Sequence, residues 1–86
     1  MVLGKQTTVA TTATLIHKAT TNGCMVIVRN PTGGAAVTLG AAAVVAGAGY
    51  ILPGGDAETI PLPPGDSLFG IVASGTQAIS VLVVEF

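Results

Sequence analysis

The fold of this protein is decided by the stretch GGAAVTLGAAAVVAGAGYIL, residues 33–52. This stretch lies inside a charge-free interval from Arg29 to Asp56, which is longer than the roughly 20 apolar residues that a membrane helix needs. Glycine and proline interrupt the interval, and in a helix interior they cost about 1 and about 3 kcal/mol relative to alanine. The short apolar runs AAVTL, AAAVV and YIL are typical of strands separated by turns. We therefore expect β-structure here and no membrane span.

Glycine and proline interrupt the rest of the chain in the same way. Turn signals recur about every 8–12 residues, which favours a sandwich or barrel over a helical fold. The runs CMVIVRN (24–30) and AAVTLG (35–40) predict a hairpin around PTGG (31–34). Proline in the run ETIPL (58–62) predicts an edge strand, because proline donates no ladder hydrogen bond, and Gly70 predicts a bulge or a close approach. The prediction is an all-β fold, a small β-sandwich or partly open barrel of seven or eight short strands.

The 86 residues predict one sandwich domain over residues 13–86. Residues 1–12 precede this domain, and they overlap a threonine-rich, β-prone run, QTTVATTATLI (6–16). Two arrangements fit this start equally. It is either an extended arm that adds a strand to a neighbouring sheet or the first strand of the chain's own sandwich.

The composition predicts a subunit of an assembly. Half of the residues are hydrophobic, only 8% are charged and the mean hydropathy is +0.78, whereas an average domain has roughly a quarter of its residues charged. Few charges limit solubility, so we expect further burial in a homo-oligomer. The net charge of −1 and three scattered basic residues argue against nucleic-acid binding.

The last strand, ISVLVVEF (79–86), is apolar on both faces, with Val81 and Val83 alternating with Leu82 and Val84. Antiparallel sheets commonly keep one polar, solvated face, so we expect a second subunit to cover this strand. From the threonine-rich start and this strand we predict a subunit or capsid interface. Its candidate residues are Thr7, Thr8, Val9, Val81, Val83 and Phe86.

No motif in the sequence supports catalysis. His17 is the single histidine and Cys24 the single cysteine, so neither a hydrolytic triad nor a three- or four-ligand metal site is indicated. Asp56 and Glu58 lack the dense oxygen donors of a calcium loop. Cys24 is expected to be a small buried hydrophobe without a disulfide. We predict no catalytic, metal-binding or cofactor-binding residue, and therefore not an enzyme.

Residues 13–86 resemble small β-sandwich virion proteins of tailed bacteriophages. The resemblance is carried by a strand ending in RN, a glycine-rich turn, VTLG, an aromatic residue before LPGG, PGDSLFGI and a closing VLVVE. It implies a head decoration or cement subunit, commonly a trimer, that binds the major capsid protein on the outer surface of the capsid. The family's domains also occur in head fibres and tail parts, and no catalytic residue carries over.

Two alternatives stay open. The chain could be a structural domain of a phage tail or head fibre, or a carbohydrate-binding module. Sugar sites stack aromatic rings, and Tyr50, Phe69 and Phe86 are the only aromatic side chains. The start of the chain lacks the apolar segment of a secretory signal, so we expect synthesis in the host cytoplasm.

Overall fold

The computed structural model describes residues 2–86 and contains eight β-strands. Their bounds are β1 Val2–Val9, β2 Thr14–Lys18, β3 Cys24–Arg29, β4 Val37–Gly40, β5 Tyr50–Leu52, β6 Ala57–Leu62, β7 Ser67–Ile71 and β8 Gln77–Glu85. The all-β class and the strand number are confirmed. No helix long and apolar enough to cross a membrane occurs among residues 2–86.

The strands form two four-stranded antiparallel sheets. Sheet A has the order β1-β8-β3-β6, and sheet B has the order β2-β7-β4-β5. Each connection carries the chain to the opposite sheet except the one between β4 and β5. This is the arrangement of an eight-stranded jelly roll, a sandwich built from two Greek keys.

Two local predictions are wrong. The hairpin of residues 24–30 with 35–40 does not form, because β3 lies in sheet A and β4 in sheet B. The turn PTGG carries the chain across the sandwich and does not return it along the same sheet. The run AAAVV forms no strand either, since residues 41–49 are a loop with a single isolated bridge between Val45 and Ala48.

Two other local predictions are confirmed. β6, which contains Pro61, is an edge strand of sheet A and pairs with β3 alone. Gly70 is a close-approach position, because a Cβ there would lie 3.0 Å from Ile16 Cδ1 and 3.2 Å from Val37 Cγ1. A larger side chain at residue 70 would push into the space that these neighbouring strands fill.

The core lies between the two sheets and is built from small aliphatic side chains. Alternate residues of each strand point inward, so a nine-residue strand such as β8 contributes Ile79, Val81 and Val83. Sheet A contributes further valines from β3, and sheet B contributes Ile16, Val37 and Leu39, among others. The core cluster contains no aromatic residue, so its stability rests on the fit of branched aliphatic groups.

Asn30 connects two segments of the chain that pass from one sheet to the other. One segment follows β3 and the other precedes β6. Its side chain is fully buried, and its Nδ2 donates hydrogen bonds to the carbonyls of Ala35 at 2.7 Å and Leu52 at 3.1 Å. Its backbone N–H donates to the carbonyl of Asp56 at 2.9 Å, and its carbonyl accepts from the Gly55 N–H at 2.8 Å. One side chain and its own peptide groups therefore hold both crossings together.

Glycines let these two crossings touch through their backbones. A Cβ at Gly54 would collide with the backbone of Gly34, and a Cβ at Gly34 would collide with the Asn30 side chain. The turns PTGG and LPGG thus need glycine at these positions because the chain itself approaches too closely for any side chain.

Candidate functional site

The outward-facing positions of sheet A form a surface that we call face A. The strand register places these positions in rows that run across β1, β8, β3 and β6. The first row contains Val2, Val84, Met25 and Pro61. The second row contains Gly4, Leu82, Ile27 and Thr59. The third row contains Gln6, Ser80, Arg29 and Ala57, and beyond it lie Thr8 and Ala78.

The first two rows, which we call the apolar half of face A, are open to solvent. Val2 is 64% exposed and Leu82 is 40% exposed, and Met25, Ile27 and Val84 are half-buried. No element among residues 2–86 lies over these side chains. Such a surface is unusual, because the solvent face of an antiparallel sheet is ordinarily polar.

Face A is almost free of charge. Among the outward positions described for sheet A, Arg29 is the single charged residue, and it lies in the third row beside Ser80 and Ala57. Phe86 follows β8 at the opposite end of the face, where its N–H donates to the Gly23 carbonyl at 3.3 Å and its side chain is exposed. The face therefore runs from an exposed aromatic ring, through the apolar half, to a cation.

The outer face of sheet B differs because the chain partly covers it. Thr38 and Ile71 are neighbours in register and point outward, yet they are only 4% and 8% exposed. The loop 41–49 lies over β4, where the Gly47 N–H donates to Thr38 Oγ1 at 3.0 Å. Two apolar side chains at outward positions, Leu15 and Ile51 on the edge strands β2 and β5, remain markedly exposed on this face.

Val44 is the side chain through which this loop packs against sheet B. A Cβ at Gly40 would lie 2.9 Å from Val44 Cγ2, and a Cβ at Gly49 would lie 3.1 Å from the same atom. The glycines at both ends of the loop thus make room for Val44. The run of small residues AAAVVAGAG (41–49) therefore covers part of the outer face of sheet B.

Three of the predicted interface residues lie in the core. Val9, Val81 and Val83 are between 0 and 3% exposed and belong to the cluster between the sheets. Their side chains cannot touch a second subunit, so their assignment to an interface is wrong. The sequence of the last strand predicts its two apolar sides, but no local pattern indicates which of them faces the core.

The other predicted interface residues have different positions. Thr7 pairs with Ile79 on the inward side and is half-buried, whereas Thr8 is exposed on face A and Phe86 is exposed at its end. Residues 2–9 form β1, which pairs with β8 along its whole length. The threonine-rich start therefore begins in the chain's own sheet A, and β1 occupies an edge of that sheet.

The residues that sequence reasoning missed are Val2, Met25 and Ile27 on the apolar half of face A. The signal for Met25 and Ile27 was present, because CMVIV is also apolar on both sides. Val2 carried no such signal. Its place beside Val84 follows from the pairing of the first and last strands, which local patterns do not reveal.

A second feature is an apolar cleft of about 350 Å³ between the edge strands β5 and β6. The Tyr50 hydroxyl bridges these strands by donating a hydrogen bond of 2.5 Å to Glu58 Oε2. That bond and the negative charge of Glu58 raise the pKa of the Tyr50 phenol above 10.0. The remaining lining is Leu39, Gly40, Thr59, Ile60, Pro61 and Leu68.

Burial shifts the pKa of two further side chains, those of His17 and Cys24. Burial, with a contribution from Lys5, lowers the pKa of His17 below 6.5 against an opposing effect of Glu85, and its buried Nε2 has no hydrogen-bond partner among residues 2–86. Cys24 is fully buried, and burial raises the pKa of its thiol. Residues 2–86 contain no group of three or more His, Cys, Asp or Glu side chains that could hold a metal ion.

Comparison with known proteins supports the fold alone. No family model matches the chain, and no curated protein sequence matches it. One similar solved structure comes from work on Bacillus endospore appendages, described as a family of disulfide-linked pili. It shares 16% identity with a TM-score of 0.61, over 96% of this chain and 82% of the other. The likeness shows a shared sandwich architecture.

Proposed function

We propose that this protein is a structural component of a tailed-phage virion, a decoration or cement subunit that binds the outer surface of the capsid and bridges capsid subunits. The observation that carries the proposal is the uncovered apolar half of face A. A chain with so few charged residues covers part of one outer face with its own loop and leaves the other available. Large exposed apolar patches mark sites of protein association.

Three further observations support this proposal. The jelly roll recurs among viral capsid domains, although a fold does not by itself set a function. The resemblance of residues 13–86 to virion proteins has the same implication. Among residues 2–86, no group of three or more His, Cys, Asp or Glu side chains could hold a metal ion.

Assembly is also the property for which the similar solved structure is named. The pili of that work are disulfide-linked, whereas Cys24, the single cysteine here, is fully buried. A covalent link through Cys24 would require opening the core. We therefore propose association through apolar contacts between folded subunits, with the major capsid protein as the shell partner.

The proposal is tested by adding purified protein to empty, expanded heads of the phage that carries it and measuring co-sedimentation. We expect saturable binding by the wild type. Ile27→Glu, which places a carboxylate in the apolar half of face A, should weaken it at least tenfold, because a desolvated charge without a partner is costly. Thr8→Glu is the matched control, since Thr8 lies on the same face beyond the apolar half.

Failure of the wild type to bind heads would contradict the decoration role. Equal binding by Ile27→Glu and Thr8→Glu would remove face A from the contact. Cryo-electron microscopy of intact particles distinguishes the head role from a tail or head-fibre role, which shares the fold, because it locates the subunit directly.

Carbohydrate binding is a second candidate, favoured by one observation. Tyr50 is 56% exposed beside the apolar cleft and lies next to the Glu58 carboxylate, and aromatic rings with adjacent acceptors suit sugar rings. Binding on a glycan array that disappears in Tyr50→Ala would support this function. An array without signal for the wild type would reject it.

A further inference from the structure

We propose that the cleft between β5 and β6 binds a small organic cation, a primary ammonium ion carried on a short aliphatic chain. The aliphatic part lies on the apolar floor of the cleft, and the ammonium group pairs with the Glu58 carboxylate beside Tyr50. The inference goes beyond the proposed function, because the cleft opens on the side of the sandwich and shares only Thr59 and Pro61 with face A. It concerns the interior of the cleft, whereas a sugar would stack on the exposed ring of Tyr50.

The cleft arises because β5 is shorter than the edge strand of the other sheet. β5 has three residues, and its first residue, Tyr50, pairs with Leu39. Gly40, the next residue of β4, has no partner on β5 and no side chain. β6 has six residues, so its inward-pointing Ile60 faces the gap beyond the end of β5. The gap between the sheets therefore stays unfilled on this side.

The floor of the cleft is formed by the core itself. Leu39 and Leu68 are 2% and 5% exposed and belong to the core cluster, and Ile60 packs against that cluster. Their positions are thus held by packing on their other sides. The volume of about 350 Å³ lies near the lower end of the roughly 300–1,000 Å³ that small-molecule sites occupy. The cleft therefore suits one small ligand with an apolar body.

Glu58 is the single charged residue in the lining, and it has acceptor capacity to spare. Its Oε2 accepts from the Tyr50 hydroxyl, and its Oε1 accepts from the Thr59 N–H at 3.3 Å, beyond the usual range for such a bond. A carboxylate offers about four lone-pair sites. Neither donor is a cation, so the charge of this half-buried carboxylate is left for a ligand to balance.

The combination of an apolar floor with one carboxylate selects the class of ligand. A neutral hydrocarbon would displace water from Glu58 without replacing its hydrogen bonds, which is costly. An anion would be repelled by Glu58 and by Asp56, whose negative charge also acts on Tyr50. A metal ion requires several oxygen ligands. An ammonium group brings three donors, and its bonds to a carboxylate are strengthened by charge.

The edges of the cleft favour a free molecule over a lysine on an extended segment of another protein. Such a segment would gain affinity by pairing its backbone with an edge strand. Pro61 has no N–H to donate, and the Thr59 N–H is already directed to Glu58. The opposite edge, β5, is three residues long. Backbone pairing is therefore poorly served here, and the ligand must bind through its own apolar body and charge.

The first experiment is a titration of the full chain, followed by NMR of its backbone amides, with hexylammonium, hexanol and hexanoate. We expect hexylammonium to bind with a dissociation constant of about 1 mM and to shift the amides of Gly40, Thr59 and Leu68. Hexanol should bind more weakly and hexanoate not at all. Between butylammonium and hexylammonium, affinity should rise by up to about fourfold for each added methylene. Equal affinity for the three head groups, or shifts centred on Ile27 and Leu82 of face A, would overturn the inference.

The second experiment changes the charge of the carboxylate and keeps its shape. Glu58→Gln should weaken hexylammonium binding by about tenfold or more and leave hexanol binding within about twofold. Asp66→Asn is the matched control, because it removes the same charge outside the cleft lining and keeps the oxygen that accepts from the Ser67 N–H. Unchanged affinity in Glu58→Gln, equal losses in both variants, or a parallel loss of hexanol binding would each contradict a direct ion pair.

The remaining tests separate this ligand from other occupants and from the proposed function. A lysine blocked at both ends that binds more tightly than butylammonium would assign the cleft to a partner protein, and a glycan that displaces hexylammonium would assign it to a sugar. Either result would overturn the inference. Glu58→Gln that still binds phage heads leaves the proposed function intact, and a wild type that ignores heads but binds hexylammonium in the cleft leaves this inference intact.

Discussion

The two outer faces of the sandwich are made from similar residues but meet different surroundings. On sheet B, the loop 41–49 lies over Thr38 and helps to bury outward positions. On sheet A, the outward Leu82 and Ile27 have no such cover among residues 2–86. The difference shows that apolar alternation does not distinguish a face that the chain covers from one that it leaves to a partner. The face that the chain covers is determined by the long loop between β4 and β5, two strands of the same sheet.

The largest expected effect comes from truncating one outward residue on each face. Ile71→Ala removes a buried side chain that lies outside the core cluster on sheet B, and it should lower the free energy of unfolding by about 2–4 kcal/mol. Leu82→Ala on sheet A should lower it by less than about 1 kcal/mol, because that side chain is already in contact with water. Urea denaturation at low protein concentration measures both, and equal losses would contradict the comparison.

The second effect concerns glycines of the two faces. Gly49→Ala places a methyl group 2.7 Å from the Leu39 carbonyl oxygen and 2.8 Å from Thr38 Cγ2, so we expect a loss of about 1–3 kcal/mol. Gly4→Ala on face A meets nothing closer than Leu82 Cδ1 at 4.0 Å. It should be neutral or stabilise the protein by about 0.4–1 kcal/mol. Thermal unfolding of the pair gives the difference directly.

A smaller effect is expected at the hydrogen bond that fastens the loop. Thr38→Val removes the acceptor of the Gly47 N–H and should cost about 1 kcal/mol. Hydrogen exchange at the Gly47 amide should become faster in the same variant. Thr59→Val, on the exposed second row of face A, is the control and should change neither quantity. A loop amide that exchanges at the wild-type rate in Thr38→Val would show that the bond does not hold the loop.

The smallest expected effect is on the pKa of Tyr50, whose hydroxyl bridges the edge strands β5 and β6. Absorbance titration of this single tyrosine should give a midpoint above 10.0, because its bond to Glu58 favours the protonated phenol. Since the folded-state pKa is raised, the stability that this bond contributes is present below pH 10 and is lost as the pH rises through the folded pKa. Glu58→Gln should move the midpoint back toward 10. An unchanged midpoint would show that the carboxylate is not the cause.

The sequence allowed the class and the edge position of β6 to be predicted, because proline and glycine act locally. The hairpin of β3 with β4 was predicted wrongly since PTGG looks like a tight return. The course of the chain through PTGG depends instead on Asn30, whose hydrogen-bond partners Leu52 and Asp56 are more than twenty residues away. The interface was misassigned for a related reason. Which side of β8 faces the core depends on sheet pairings that link both ends of the chain.

Asn30 has a consequence for how the molecule unfolds. Because its amide and peptide groups hold the chain both where it leaves sheet A after β3 and where it re-enters at β6, neither segment can loosen alone without stranding buried polar atoms. The amides of Asn30 and Gly55, which donate to the carbonyls of Asp56 and Asn30 respectively, should then exchange in one cooperative opening. This pole of the molecule would be a poor place to insert a peptide tag.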